Sequence, residues 1–432
     1  MNGSQFYNRE LETMRRERLR QWQSERLRLL MAELATNEFY QAKARAAGVE
    51  LARIEQPEDL DALPFTTKAE LVEEQTARPP FGRLLTYPLT RYRYLHQTSG
   101  TTGRPLRWLD TEESWDWWTR CWGMVYRGAG VTAGDVVFCA FSFGPFISHW
   151  TAIAGAWHVG AMAVAGGGMN SEQRLHALID NRCTVLISTP TYALHLAEVA
   201  NRQGINLRAS MIRRMIHAGE PGASLPAVKQ AIETAWGATC FDHAGATEVG
   251  AWAFDCQAQS GAIHLNEAEF IFDLIDPANG AAVAEGERGE LVITNLGRGG
   301  MPVLRYRTGD LVELTHEPCA CGRGFARIRG GVLGRADDML IVRGVNLYPS
   351  AIDNLIRGLP EVIEYEVRVH RVAGMDDLLI RLETADAAPF AETARALLAR
   401  FRRQFGIRIS LEQAAPNSLP RYEFKARRFN RA

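Results

Sequence analysis

Apolar positions change their period along this chain. Over residues 1–36, Leu11, Met14, Leu19, Trp22, Leu27, Leu30 and Leu34 recur at an uneven helical spacing among seven arginines and the acids Glu10, Glu12, Glu17 and Glu25. Interleaved charges of both signs predict a solvated amphipathic helix packed on the body or on a partner subunit, rather than an arm for nucleic acid. Between residues 92 and 310 strand-like runs alternate with helical ones, the strands falling at 136–141, 185–188, 211–217, 239–242, 270–275 and 290–294. That alternation predicts a large multi-layer α/β N-terminal domain with partly parallel sheets.

Residues 131–169 are nearly free of charge and long enough to raise the question of a membrane span. Asp135, Gly144-Pro145, His149, His158 and Gly166-Gly167-Gly168 interrupt every apolar window, so the stretch reads better as strand 136–141, helix 147–159 and strand 161–165, a β-α-β unit. Around residues 334–338 glycine-flanked polar residues mark a hinge. The expected division is an N-terminal domain, 1–336, and a small mobile α+β C-terminal lid domain, 337–432. The lid has strands at 339–342, 364–370 and 378–383, and helices at 349–357 and 390–405.

With 432 residues the chain exceeds a single core, which agrees with two domains. A net charge of −1 provides no whole-molecule field for nucleic acid or an anionic membrane, so phosphate recognition has to be local. Seven cysteines, an odd number, and no secretory pattern in the first ten residues point to a reducing, cytoplasmic compartment.

Thr98-Ser99-Gly100-Thr101-Thr102-Gly103-Arg104-Pro105 combines backbone freedom, hydroxyl donors and a fixed cation, which suits a polyphosphate. It lacks the Walker A spacing. A polar surface turn has the same composition, and the loop alone does not separate the two.

Downstream come His243-Ala244-Gly245-Ala246-Thr247-Glu248, Tyr306-Arg307-Thr308-Gly309-Asp310, Gly334-Arg335-Ala336-Asp337-Asp338 and Arg343-Gly344-Val345-Asn346-Leu347-Tyr348-Pro349, with Lys425 near the end. In this order the segments resemble the adenylate-forming acyl- and aryl-CoA ligases. Leu63-Pro64-Phe65-Thr66-Thr67-Lys68 and the 343–349 segment are most similar to the phenylacetate-CoA ligase branch.

The resemblance implies ATP, Mg²⁺ and coenzyme A as cosubstrates and cofactor. Residues 98–104 would hold the β- and γ-phosphates, Glu248 the Mg²⁺, and Asp310 the ribose hydroxyls; Arg335 would meet ribose or phosphate. Gly219-Glu220-Pro221 matches the adenine-contacting strand end, and His243, Ala244 and Thr247 complete the nucleotide wall. Lys425, by itself a solvated charge in a basic tail, takes the position of the catalytic lysine, and Asp337 that of the hinge. Rotation of the lid would bring Arg343 and Gly344 toward a route for coenzyme A. Three departures stand out: Arg104 replaces the usual lysine, Ala244 replaces an aromatic residue, and no glycine precedes Lys425.

Cys319-Ala320-Cys321 is a tight cysteine knuckle, and Cys256 and His264 form a pair upstream. Their spacing is not that of a compact finger. Some relatives in this branch carry a structural zinc, and the resemblance implies that these four residues hold Zn²⁺ with no open position, His316 being the fallback ligand. Cys121, Cys139, Cys183 and Cys240 read as packing residues.

By family position the acyl pocket would use Phe141, Phe143, Gly144, His217, Ala218 and His243. Aromatic walls favour an aryl or arylacetic acid. The two histidines could bind a ring substituent or simply be core residues. Two other readings stay open: an adenylating enzyme that serves a carrier-protein phosphopantetheine or an amine, and a non-catalytic zinc-stabilised binding protein. The resemblance and the helical N-terminus also imply a homodimer.

Overall fold

The computed structural model describes residues 5–98, 104–142, 144–259, 261–343, 345–372, 375–385, 389–422 and 426–431, with the side chains of 346, 372, 375 and 431 left aside. The amphipathic N-terminal stretch forms helix α1 (Arg16–Glu33), which lies on the chain's own body. Gln23 Nε2 donates to the carbonyls of Glu267 and Phe270 at 2.9 and 3.1 Å, and Arg16 pairs with Glu267 at 2.6 Å. Leu19, Leu27 and Leu30 are buried beneath it.

A short ribbon, β1 (Tyr92–Gln97) against β2 (Arg107–Thr111), leads into α2 (Glu112–Gly128). Then come β3 (Val136–Cys139), α3 (Ile147–His158), β4 (Met162–Ala165), β5 (Val185–Ser188), α4 (Pro190–Arg202), β6 (Arg214–His217), α5 (Pro226–Trp236) and β7 (Thr239–Ala246). These strands pair in parallel in the order β4-β3-β5-β6-β7. Each crossover carries a helix over the sheet, as parallel pairing requires. The helix starts are written in the sequence: Thr189 Oγ1 accepts the Tyr192 N–H at 3.1 Å, and Pro190 fills a first-turn position that needs no donor.

The sheet changes character on β7. Its first half runs parallel to β6; from His243 on it pairs antiparallel with β8 (Gly250–Phe254), and the sheet continues through β9 (Ala262–Leu265), β10 (Phe270–Ile275), β11 (Arg288–Asn295), β12 (Tyr306–Thr315), β13 (Arg327–Arg329) and β14 (Gly334–Arg335). No described helix is long and apolar enough to cross a membrane.

The chain leaves this sheet at Arg335 and starts a second one at β15 (Leu340–Val342), followed by β16 (Val345–Leu347), α6 (Pro349–Arg357), β17 (Val362–Val372), β18 (Met375–Thr384), α7 (Phe390–Phe405), β19 (Ser410–Gln413) and β20 (Phe429–Arg431). Val342, Ile352, Val367, Ile380, Leu397 and Phe401 belong to a core of its own, whose fully buried members all lie between residues 340 and 409. A separate C-terminal domain therefore follows the large mixed α/β one.

Candidate functional site

A cavity of about 300 Å³ opens where the parallel strands β3, β6 and β7 end, the usual ligand crevice of an open α/β sheet. Trp122, Phe141, Phe146, Ile147 and Ala218 give its lining an apolar part; Glu248, Tyr306, Thr308, Asp310 and Arg335 give it a polar one. The whole segment from Asp242 to Val249 also lines it, carried by the last half of β7 and the turn after it.

Asp242 is buried, and its oxygens accept from Ser224 Oγ and from the backbone N–H of His243, the latter at 3.0 Å. Burial pushes the Asp242 carboxyl above the usual carboxylate range. The His243 ring tilts against Trp122 with centroids 4.6 Å apart, and its Nδ1 lies 2.8 Å from the Ala253 carbonyl oxygen. Since a carbonyl only accepts, Nδ1 carries the proton and Nε2 does not. Burial lowers this imidazole to about 4, so it is neutral near pH 7.

Among the polar lining residues, Glu248 Oε1 accepts the phenol of Tyr306 at 2.8 Å, and burial next to that carboxylate raises the phenol's pKa. Asp310 and Arg335 face each other across the β12–β14 pair. Arg335 NH1 donates to Asp310 Oδ1 at 3.3 Å and to the Thr308 carbonyl at 3.1 Å, while its Nε donates to Asp337 Oδ1 at 2.9 Å. Burial works against this guanidinium's charge, yet the two carboxylates hold its pKa above the usual arginine value. Gly219 turns the chain into the wall at φ 94°, a conformation that favours glycine, and brings Glu220 and Pro221 with it.

Some of the other expected site residues lie off the cavity. His217 is off the wall: it is buried, and because it pairs in register with Ser188 the two side chains share a face of the sheet, Nδ1 3.4 Å from Ser188 Oγ. Gly144 is also off the wall, where Phe146 takes up the space. Thr98 lines the cavity and its Oγ1 accepts the Leu106 N–H at 3.0 Å, whereas Arg104 is exposed and away from it. Arg343 is engaged with Asp377 of its own domain. Ser99, Gly100, Thr101, Thr102, Gly103, Phe143, Gly344 and Lys425 lie outside the described residues. Sequence reasoning missed Lys68, Trp122 and Tyr306 as cavity residues, although Lys68 and Tyr306 stand inside segments that drew notice.

A second cluster sits beside β9. The ligand atoms of Cys256, His264, Cys319 and Cys321, all buried, lie within 4.8 Å of one another. Cys256 and Cys319 Sγ are 3.6 Å apart, and Cys321 Sγ is 3.4 Å from His264 Nε2. The thiol of Cys256 and the nearby imidazole push the Cys321 thiol down. His316 instead pairs with Glu285 at 3.0 Å. Cys121, Cys139, Cys183 and Cys240 are buried in apolar surroundings.

Sequence comparison matches residues 21–300 to the AMP-binding enzyme family and residues 344–431 to the AMP-binding enzyme C-terminal domain. A phenylacetate-coenzyme A ligase of Thermus thermophilus is 32% identical over 88% of this chain and 85% of its own. Among solved structures, a 2-hydroxyisobutyryl-CoA ligase in the postadenylation state with 2-HIB-AMP is 32% identical and superposes with a TM-score of 0.94, over 99% of this chain and 93% of its own. The same ligase with 2-HIB-AMP and CoA in the thioesterification state gives 0.75 over the same shares.

Proposed function

The chain belongs to the AMP-binding enzyme family, and from that membership we propose that it activates a carboxylic acid with ATP and transfers the acyl group to coenzyme A, releasing AMP and pyrophosphate. The observation that carries this reading is that one cavity is lined both by the aromatic residues Trp122, Phe141 and Phe146 and by the polar residues Glu248, Asp310 and Arg335.

A carboxylate resists nucleophiles because of its charge and lacks a leaving group. Attack of its oxygen on the α-phosphorus of ATP expels pyrophosphate and yields a mixed anhydride; the thiol sulfur of coenzyme A then attacks the acyl carbon, AMP departs, and the thiol proton passes to solvent. In our reading Asp310 accepts from the ribose hydroxyls. Arg335, aimed by Asp310 and Asp337, faces the ribose or the α-phosphate. Residues 98–104 hold the outer phosphates, and Gly219 and Pro221 border the adenine with His243, Ala244 and Thr247. Lys425 supplies a cation where negative charge gathers. Glu248 offers the hard oxygen that would hold Mg²⁺, which when bound neutralises phosphate charge.

The acid is, in this reading, aryl or arylacetic, stacked among the aromatic side chains. The unprotonated Nε2 of His243 would accept from an amino or hydroxyl group on the ring.

Asp337, between the last strand of one sheet and the first of the other, is the proposed hinge, with domains 1–336 and 337–432 on either side. The higher score against the postadenylation state supports the view that the two domains stand here as they do before the thioester step. On rotation Arg343 and Gly344 would turn toward the coenzyme A route.

The four-residue cluster suits structural Zn²⁺: around zinc with Zn–S bonds of about 2.3 Å, tetrahedral ligands stand about 3.7 Å apart, close to the 3.4 and 3.6 Å seen. We also place the protein in the cytoplasm, where thiols stay reduced, and as a homodimer.

A panel of carboxylic acids read by pyrophosphate release, with and without coenzyme A and followed by product mass, tests the reading. Aryl acids should respond first and give a coenzyme A thioester. A product that forms only with a carrier protein or an amine would redirect the acceptor.

A further inference from the structure

Glu220 stands in the cavity wall with both oxygens engaged. Oε1 accepts the backbone N–H of Thr191, in the first turn of α4, at 2.8 Å; Oε2 accepts the backbone N–H of Ala426 at 3.0 Å. The first bond fixes the carboxylate to the large domain. The second reaches the C-terminal segment one residue past Lys425.

The same segment is fastened at two other points on α4. Arg421 Nε donates to Glu198 Oε2 at 2.9 Å, and Arg428 NH1 donates to Thr191 Oγ1 at 3.3 Å. Each arginine is also tied into its own domain, Arg421 to Glu383 at 2.6 Å and Arg428 to Glu364 at 2.7 Å. Arg421 on one side of Lys425, and Ala426 and Arg428 on the other, are therefore all held to the large domain. Of these three anchors, only Glu220 grips the backbone. A charge-assisted bond to a main-chain N–H fixes the path of the chain, whereas a pair between long side chains leaves several torsions free.

We propose, resting on the acid activation argued above, that Glu220 is a positioning residue for the adenylation half-reaction rather than a nucleotide contact. It sets the backbone at residue 426, and so delivers Lys425 to the cavity, and it lets go of that backbone when the small domain turns for thioester formation.

Glu220→Gln puts an amide donor where one of two N–H groups must be accepted, and Ala426→Pro removes the N–H from the other side. In acid-dependent pyrophosphate exchange into ATP, each variant should lose at least about tenfold in kcat, with KM for ATP within about twofold of wild type. Synthetic acyl-AMP should still be converted to thioester at a rate within about twofold, which also shows that the variants are folded. The double variant should be no worse than the poorer single one, as for two ends of one bond. A tenfold rise in KM for ATP with kcat kept would make Glu220 a nucleotide contact, and an equal loss of both half-reactions would make it a fold residue; either overturns the proposal. Exchange by wild type that Glu220→Gln leaves unchanged also overturns it while sparing the ligase reading. No exchange by wild type with any acid would overturn the ligase reading itself.

Discussion

The phenol of Tyr306 donates to Glu248 Oε1 across 2.8 Å of buried cavity wall, so the carboxylate proposed to hold magnesium is aimed by a residue 58 positions away. Tyr306 opens β12, and its own burial leaves Glu248 as the partner that satisfies the hydroxyl.

Tyr306→Phe removes the donor and keeps the ring. Losing the hydrogen bond that orients a metal-binding carboxylate costs about 10–100-fold in metal affinity or activity. The magnesium concentration giving half-maximal pyrophosphate exchange should rise by about that factor, with thioester formation from acyl-AMP kept. An unshifted magnesium titration would contradict this role.

Zinc content offers an independent check on the cluster of Cys256, His264, Cys319 and Cys321. Protein purified without chelator should carry about one zinc per chain, measured by elemental analysis, and Cys321→Ser should lose it. Because binding energy at such a site is folding energy, the variant's melting temperature should fall by several degrees. Adenylation assayed well below the melt should persist, since four protein ligands leave no place for a reacting group. Wild-type protein free of zinc would end the claim.

How much of this was legible beforehand depends on where the determining contacts lie. β5, α6 and α7 read with their exact ends because local signals punctuate them: Pro349 opens α6, and Gly406 closes α7 at φ 70°. β7 runs beyond Asp242 because His243-Ala244-Gly245-Ala246 carries little strand preference, and pairing with β8 imposes it. The metal-type cluster, ambiguous by spacing, closes because β13 places Arg327 opposite His264 and so brings the cysteine knuckle back beside Cys256. Trp122 gave no signal at all: on a helix rich in tryptophan, nothing local marks the one that meets His243.

His217 makes the fold pH-sensitive. Burial lowers its imidazole from the ordinary 6.5 to about 4, so between those values the unfolded chain holds a proton that the folded one lacks. Its contribution is therefore full above about pH 6.5 and is lost as the pH falls toward 4, at about 1.4 kcal/mol per unit. Comparing urea unfolding at pH 7 and pH 5, His217→Gln should show a drop in stability smaller than the wild-type drop by about 2 kcal/mol. Equal drops would show that the imidazole titrates normally in the fold.

Lys425 allows the sharpest separation of the two half-reactions. If the domains alternate about Asp337, the lysine serves only while its neighbours Arg421 and Ala426 are held by Glu198 and Glu220. Removing a preorganised cation from developing phosphate charge costs about 10²-fold or more. Lys425→Ala should therefore lose acid-dependent pyrophosphate exchange by at least that factor. The variant should nonetheless convert synthetic acyl-AMP and coenzyme A to thioester at close to the wild-type rate, because by then the lysine has turned away from the site. A parallel loss of both activities would mean that Lys425 faces the reacting atoms throughout, and the rotation would have to be abandoned.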